Sequence, residues 1–232
     1  LDRKIIRRSL SQYASPVVLI RKKDGQLRLC IDYRCLNANT HRDAFPLPRI
    51  EESLQALGGA QFFTVLDLTS GYYQVAMDPS DVEKTAFVVP FGLFEYLRMP
   101  FGLTNAPATF QRLMQRCIGD QCCDNVLIYL DDIIVYSPDF DSHLDHLDRV
   151  FTRLQGHGLK LKPAKCHLLQ PEVRYLGHLV SSAGVSVDPE KIRVVQEWPE
   201  PMTVRDVRSF LGFTGFFRRF IQGYASIAEA LY

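Results

Sequence analysis

The stretch Val126-Leu127-Ile128-Tyr129-Leu130-Asp131-Asp132-Ile133-Ile134-Val135-Tyr136 sets two adjacent carboxylates between two apolar runs. Both runs are rich in β-branched residues and read as largely buried strands, so the acids fall at the turn of a hairpin. Aspartates are ordinary turn residues. Two acids side by side at a strand end, with no Lys or Arg close in sequence, repel each other, and a divalent cation would relieve that cost. A third acid has the same setting: Phe62-Phe63-Thr64-Val65-Leu66 runs straight into Asp67, followed by Gly71-Tyr72-Tyr73. An isolated Asp at a strand end is usually a turn former or helix cap. Beside an Asp-Asp hairpin in the same sheet it completes a hard-oxygen cage. Mg²⁺ takes one or two carboxylates together with waters and substrate phosphates, so three acids from two strands suit a pair of ions. The pattern points to metal-assisted phosphoryl transfer.

Charge is segregated along the chain. The net charge is only +1, which by itself marks no polyanion-binding surface. Residues 1–35, however, carry nine Lys or Arg against three Asp, residues 120–148 carry eight Asp and no Lys or Arg, and residues 153–176 return to net +4. Basic arms around an acidic centre suit phosphate grips flanking a metal site. Solvated charged faces would explain each segment separately, but not why the signs separate.

With 232 residues, 47% of them hydrophobic, the chain can bury a real core in one or two globular units. No apolar run approaches membrane-spanning length and no signal-peptide pattern opens the chain. It starts at Leu1 and stops at Tyr232, which reads as an excised piece of a longer polyprotein. The six cysteines (Cys30, Cys35, Cys117, Cys122, Cys123, Cys166) show no CxxC pairing, so reduced intracellular thiols are expected.

Val17 to Ile20 and Leu27 to Asp32 read as a hairpin turning at Lys23-Asp24-Gly25. Pro48 is expected to start a helix through Glu51, Leu54 and Leu57, stopped by Gly58-Gly59. Thr85 to Val89 and Phe94 to Arg98 form a second expected hairpin, and Pro107 opens a helix with Phe110, Leu113, Met114 and Cys117 on one face. His143 to Leu154 is amphipathic and is expected to bury Leu144, Leu147, Val150, Phe151 and Leu154. Val173 to Val180 is strand-like, helix returns after Pro189, and Thr203 with Asp206 predicts a capping box. The fold class is α+β, with helices packed against a sheet. His143, His146 and Cys166-His167 do not complete a zinc set, because no CxxC accompanies them.

Several further segments carry a resemblance. They are Ala14-Ser15-Pro16-Val17-Val18, Arg28-Leu29-Cys30-Ile31-Asp32-Tyr33-Arg34-Cys35-Leu36-Asn37, Phe45-Pro46-Leu47-Pro48, Leu66-Asp67-Leu68-Thr69-Ser70-Gly71-Tyr72 and Met99-Pro100-Phe101-Gly102-Leu103-Thr104-Asn105-Ala106-Pro107. Tyr129-Leu130-Asp131-Asp132, Tyr175-Leu176-Gly177 and Arg208-Ser209-Phe210-Leu211-Gly212 complete the series. In this order they resemble the reverse transcriptase domain of Ty3/gypsy-type long-terminal-repeat retrotransposons and, more distantly, retroviral reverse transcriptases.

The resemblance implies a right-hand polymerase fold with an antiparallel-sheet palm, β-rich fingers and a partial helical thumb. Fingers are expected at 1–43 and 76–104, palm at 44–75 and 105–180, and thumb at 181–232. It implies an RNA-directed DNA polymerase that adds dNTPs to a primer on an RNA or DNA template. Asp67, Asp131 and Asp132 would be catalytic and hold two Mg²⁺, with Mn²⁺ as an alternative. Asp67 and Asp131 would bridge the ions, and Asp132 would support the site's charge. Tyr72 would place a ring beneath the incoming sugar, where a ribose 2′-hydroxyl would collide with it. Lys22 and Arg28 would grip the triphosphate. Phe101-Gly102 would lie near the nucleotide, the Phe removing a polar contact that retroviral enzymes have there. Lys165 would serve pyrophosphate protonation, and Tyr175-Leu176-Gly177 the primer end. Arg218 and Arg219, with Phe216 and Phe217, would touch the duplex or only solubilise a thumb helix. Downstream ribonuclease H and integrase regions, and a cytoplasmic virus-like particle, belong to the same implication. The competing readings are a decayed or host-adopted, non-enzymatic nucleic-acid-binding remnant and a two-metal nuclease built on the same acids. Retention of all three carboxylates argues against the first, and the usual separate downstream nuclease domain against the second.

Overall fold

The computed structural model describes residues 1–21, 25–119 and 125–231. In chain order the elements are β1 (Ile6–Arg8), the hairpin β2 (Val17–Arg21) and β3 (Leu27–Ile31), α1 (Arg34–Ala38), α2 (Ile50–Ala56) and β4 (Phe62–Asp67). Then come β5 (Phe87–Val89), β6 (Gly92–Tyr96), α3 (Ala106–Met114), β7 (Val126–Tyr129), β8 (Asp132–Ser137) and α4 (Phe140–Gly156). The remainder is β9 (His167–Gln170), β10 (Glu172–Tyr175), β11 (His178–Ser181), β12 (Gly184–Val187), α5 (Pro189–Gln196), α6 (Val204–Phe216) and α7 (Tyr224–Ala228).

The central sheet has strand order β7-β8-β4-β9 and is antiparallel throughout. Strands β4, β7 and β8 read as continuous apolar runs because both faces are covered. On one face Leu66, Ile133 and Val135 pack under Phe110, Met114 and Cys117 from the α3 region and Leu147, Val150 and Leu154 of α4. On the other, Phe63, Ile134 and Tyr136 pack with Leu54 of α2, neighbouring Leu57, and Val173, Tyr175 and Val180 of the β10–β11 hairpin. Sheet β1-β6-β5 and the hairpin β2-β3 form a second β-rich region, joined by the parallel bridge Ser15↔Phe87. The third sheet, β10-β11-β12, leads into the helices α5 to α7.

Several element boundaries differ from the sequence expectation. Helix α2 begins at Ile50, not Pro48, because the prolines at 46 and 48 favour extended backbone before them and Arg49 remains extended at ψ 128°. Thr85 ends a 3₁₀ turn instead of opening a strand; its hydroxyl donates to the Val82 carbonyl and accepts from the Tyr96 amide. Val173 to Val180 is two strands, broken at Leu176-Gly177, both with positive φ. The capping box of α6 is present as expected, with Thr203 and Asp206 reciprocally bonded.

In α4 the buried stripe is His143, Leu147, Val150 and Leu154, while Leu144 and Phe151 face outward. The spacing i, i+4, i+7, i+11 centres the stripe one residue away from Leu144. His143 tolerates full burial because both ring nitrogens are paired. The Leu169 amide donates to Thr64 Oγ1, which is bonded at 2.8 Å to His143 Nε2; His143 Nδ1 lies 2.9 Å from Ser137 Oγ, itself 2.8 Å from His146 Nδ1. One consistent set of protons satisfies this chain: Thr64 donates to Nε2, Nδ1–H donates to Ser137, and Ser137 donates to His146.

Burial holds the His143 pKa below its ordinary value of 6.5, with His146 adding to the shift. The unfolded chain therefore takes up this proton first, and stability is lost as pH falls through about 6.5 toward the depressed folded value. His143→Leu, which strands the Thr64 and Ser137 hydroxyls, should cost about 1–3 kcal/mol in urea unfolding at pH 7.5. It should also lose less between pH 7.5 and 5.5 than the parent does. An identical acid slope in both proteins would refute the relay.

Candidate active site

Asp67 is the last residue of β4 and stands directly opposite Asp132, the first residue of β8. Tyr129 faces Asp132 from the other side. Alternation along the strands puts Tyr129, Asp132 and Asp67 in one row on a single face of the sheet. The turn between β7 and β8 is Leu130-Asp131, so the acid pair divides: Asp131 occupies the loop and Asp132 the strand.

The three carboxylates disturb one another. Burial raises the Asp131 pKa, and the charges of Asp132 and Asp67 raise it further; burial and Asp67 do the same to Asp132. Asp131 Oδ1 is buried with no hydrogen-bond partner, a costly state for an anionic oxygen. The compensating cation that the neighbouring sequence lacks arrives from 98 residues away, where Lys165 Nζ donates to Asp67 Oδ2 at 2.8 Å. Among the described residues, this one amine against three acids leaves the cluster short of positive charge. No group of three or more His, Cys, Asp or Glu side chains among the described residues is arranged to hold a metal ion by itself. An orphaned carboxylate oxygen beside two further hard-oxygen donors nonetheless fits a divalent ion whose remaining ligands are water and phosphate oxygens.

The loop after Asp67 is fixed at several points. The Asp67 carbonyl accepts from the Lys162 amide, and Thr69 Oγ1 donates to the Leu161 carbonyl. Gln74 closes the loop from within: its amide donates to the Thr69 and Lys160 carbonyls and accepts from the Lys160 amide. The 3₁₀ turn Gly71–Gln74 then carries Tyr72, whose ring centroid lies 4.9 Å from Phe101 and 5.3 Å from Phe110. Burial pushes the Tyr72 hydroxyl up to about 12, and the Asp131 charge adds to the shift. Gly71 is required here, since a Cβ would come within 2.9 Å of Phe110 Cζ.

Phe101 joins this group to the β2–β3 hairpin, because the Arg28 guanidinium lies 5.7 Å from its ring centroid. Gly102, at φ +98°, gives its carbonyl to Asn37 Nδ2. The structure thus brings Asp67, Asp131, Asp132, Tyr72, Phe101, Gly102, Lys165 and Arg28 into one continuous region. Lys22 lies outside the described residues, as do Cys122 and Cys123. His143 and His146 belong to the core relay. Arg218 and Arg219 fall in a 3₁₀ turn after α6, with the Arg219 guanidinium 5.0 Å from the Phe220 ring centroid.

Sequence reading did not single out Gln111. It is 2% exposed, and its amide donates to the Ile128 carbonyl at 3.1 Å while accepting from the Leu130 amide at 2.8 Å. The available signal was a glutamine on the buried arc of α3, beside Phe110 and Met114. Leu130 itself has φ +54°, a conformation that costs a non-glycine residue on the order of 1–3 kcal/mol.

Comparison with known proteins agrees with this geometry. Residues 20–180 match the family described as reverse transcriptase (RNA-dependent DNA polymerase). The chain is 42% identical, over 100% of its length, to the retrovirus-related Pol polyprotein from transposon 297 of Drosophila melanogaster, and it covers 22% of that protein. It is 41% identical over 98% of its length to the Pol polyprotein from transposon gypsy of the same organism, covering 22% of it. With the transposon Tf2-3 polyprotein of Schizosaccharomyces pombe it shares 36% identity over 98% of the chain and 17% of the polyprotein. The chain thus spans about a fifth of the length of these relatives. A foamy viral protease-reverse transcriptase in complex with double-stranded DNA superposes with a TM-score of 0.94 at 25% identity, over 100% of this chain and 40% of that one. A foamy viral protease-reverse transcriptase in complex with an RNA/DNA hybrid has the same fold, with a TM-score of 0.87 at 24% identity over 98% of this chain and 31% of that one. The architecture is therefore a right-hand polymerase fold, with an antiparallel palm sheet, β-rich fingers and a partial helical thumb. The chain belongs to the reverse transcriptase (RNA-dependent DNA polymerase) family, among the gypsy-type retrotransposon Pol proteins.

Proposed function

We propose that this chain is the RNA-directed DNA polymerase part of a retroelement Pol polyprotein, extending a primer with dNTPs at Asp67, Asp131 and Asp132. The observation that carries this reading is the in-register pair Asp67↔Asp132 with the orphaned Asp131 oxygen beside it. The three carboxylates would hold two divalent ions, Mg²⁺ or in its place Mn²⁺. When bound, such ions activate the attacking oxygen and stabilise the leaving group.

The protein's own residues supply position and charge. In the reaction the primer 3′-hydroxyl loses its proton to solvent water, its oxygen forms a bond to the α-phosphorus, the bond from that phosphorus to the bridging β-phosphate oxygen breaks, and pyrophosphate departs. The Tyr72 ring, backed by Phe101 and Phe110, forms a floor for the sugar. Arg28, exposed beside Phe101, can close on the triphosphate, and Lys22 is assigned the same task from the sequence. Lys165, paired with Asp67 Oδ2, is assigned the task of steadying the departing pyrophosphate and giving it a proton.

In this reading residues 1–43 and 76–104 are the fingers, 44–75 and 105–180 the palm, and 181–232 the partial thumb. The β10–β11 turn at Leu176-Gly177 serves the primer end. Partners are an RNA or DNA template with its primer, dNTPs, and downstream ribonuclease H and integrase regions. Among the described residues no helix is long and apolar enough to cross a membrane. We assign the protein to a cytoplasmic virus-like particle. No feature of the chain favours a non-enzymatic remnant.

Two measurements check this reading. Asp131→Asn should lower Mg²⁺-dependent extension of a DNA primer on an RNA template at least a hundredfold, about 2.7 kcal/mol in barrier. In metal-free buffer its melting temperature should equal or exceed the parent's, because one of three repelling charges is gone; undiminished extension would remove the acids from the mechanism. Tyr72→Val should raise the relative use of rNTPs over dNTPs by roughly tenfold or more, about 1.4 kcal/mol of discrimination. Unchanged discrimination would take Tyr72 away from the sugar.

A further inference from the structure

Asp131 sits in a turn that its own sequence does not favour. The two-residue loop joining Tyr129 to Asp132 has positive φ at its first position, where glycine is the residue of choice. This chain places Leu130 there instead, at φ +54°. A leucine gains nothing locally from that conformation, so the turn must be held from outside. Among the described residues, Gln111 is the side chain that bonds to it, its amide spanning the turn's entry: the Ile128 carbonyl on one end and the Leu130 amide on the other.

Both bonds use the same amide orientation, with nitrogen donating and oxygen accepting, so each reinforces the other. β7 is the edge strand of the palm sheet, and Gln111 reaches it from α3. Being 2% exposed, Gln111 is walled off from solvent and from any substrate. Its neighbour Phe110 packs under Gly71 and Tyr72, so α3 supports the Asp67 loop and the Asp131 turn through consecutive residues.

We propose that Gln111 is a positioning residue for the polymerase reaction, holding Leu130 left-handed so that Asp131 presents its carboxylate to Asp67 and Asp132. The inference rests on the polymerase reading above and adds to it a residue that touches neither substrate nor metal. A glutamine that merely tied α3 to the sheet edge would affect stability alone. One that sets the turn affects ion binding and turnover, and its loss is compensated by any change that makes the turn self-sufficient. Glycine at position 130 is such a change, because it adopts positive φ without strain.

The test is a double-mutant cycle of Gln111→Met and Leu130→Gly on the 232-residue chain. Three readouts are taken: kcat and dNTP KM for primer extension, Mn²⁺ half-saturation by electron paramagnetic resonance without turnover, and the melting temperature. Gln111→Met should lower kcat by tenfold or more, change KM less than threefold and weaken Mn²⁺ half-saturation at least threefold. In the Leu130→Gly background the same substitution should change kcat and Mn²⁺ half-saturation by less than threefold. Equal penalties in both backgrounds, or a fall in melting temperature with kcat and ion binding unchanged, would overturn the proposal. Should Gln111→Met not fold alone, the comparison of Leu130→Gly with the double variant still decides, a tenfold loss there counting against it. A parent chain without metal-dependent extension would defeat the polymerase reading instead, and the Mn²⁺ titrations would still judge the role of Gln111.

Discussion

Three carboxylates are forced together at one end of the β4–β8 ladder, and most of the surrounding structure holds them there. Asp67 and Asp132 are direct cross-strand neighbours, the arrangement in which like charges are most unfavourable, and Asp131 follows immediately. Register is the means of enforcement. A slip of one residue would turn the Leu66, Ile133 and Val135 face and the Phe63, Ile134 and Tyr136 face inside out. Because helices cover one face and α2 with the β10–β11 hairpin the other, neither set of side chains has anywhere else to go. Hydrophobic burial, which has no direction of its own, thus fixes the relative position of two charges to within one residue.

Register does not orient the loops on which the acids end, and that task falls to polar side chains at close quarters. Gln74 closes the segment after Asp67 against Lys160, and Gln111 bridges the two backbone groups flanking Tyr129. Both are neutral amides, able to donate and accept at once without adding charge to an already crowded site. Helix α3 is the common support. Its Phe110 packs beneath Gly71, and Arg112 ties the preceding extended segment through Asp43.

The sequence made some of this legible and hid the rest for identifiable reasons. Continuous apolar runs ending in acids announced the palm strands, and the local chemistry of Thr203 and Asp206 announced the α6 cap. These are signals within a few residues of each other. Lys165 as the partner of Asp67 was invisible, because the contact spans 98 residues and depends on where the segment between α4 and β9 lies. His143 was passed over in favour of Leu144 because hydropathy ranks leucine for the core. Burial went instead to the residue whose two nitrogens could both be satisfied. Gln111 was overlooked for the same reason: a polar residue on an apolar arc counts against a pattern until its partners are known.

The site's chemistry follows from what the fold leaves unpaired. The Asp67 carbonyl is taken up by the Lys162 amide, while the Asp67 and Asp132 side chains end at the sheet's margin, half-buried and open to solution. Burial raises the cost of the Asp131 and Asp132 charges, and the nearby Lys165 amine is committed to Asp67. A fully closed cage would have satisfied the acids permanently and left no place for a reacting group. An incomplete one at a strand end accepts its remaining ligands from outside, so that on the polymerase reading phosphate oxygens and carboxylates share the same cations. On the same reading, occupancy of the site and alignment of the substrate become a single event, and the deficit of positive charge at the three carboxylates is what makes the arrival of a polyanionic substrate depend on metal.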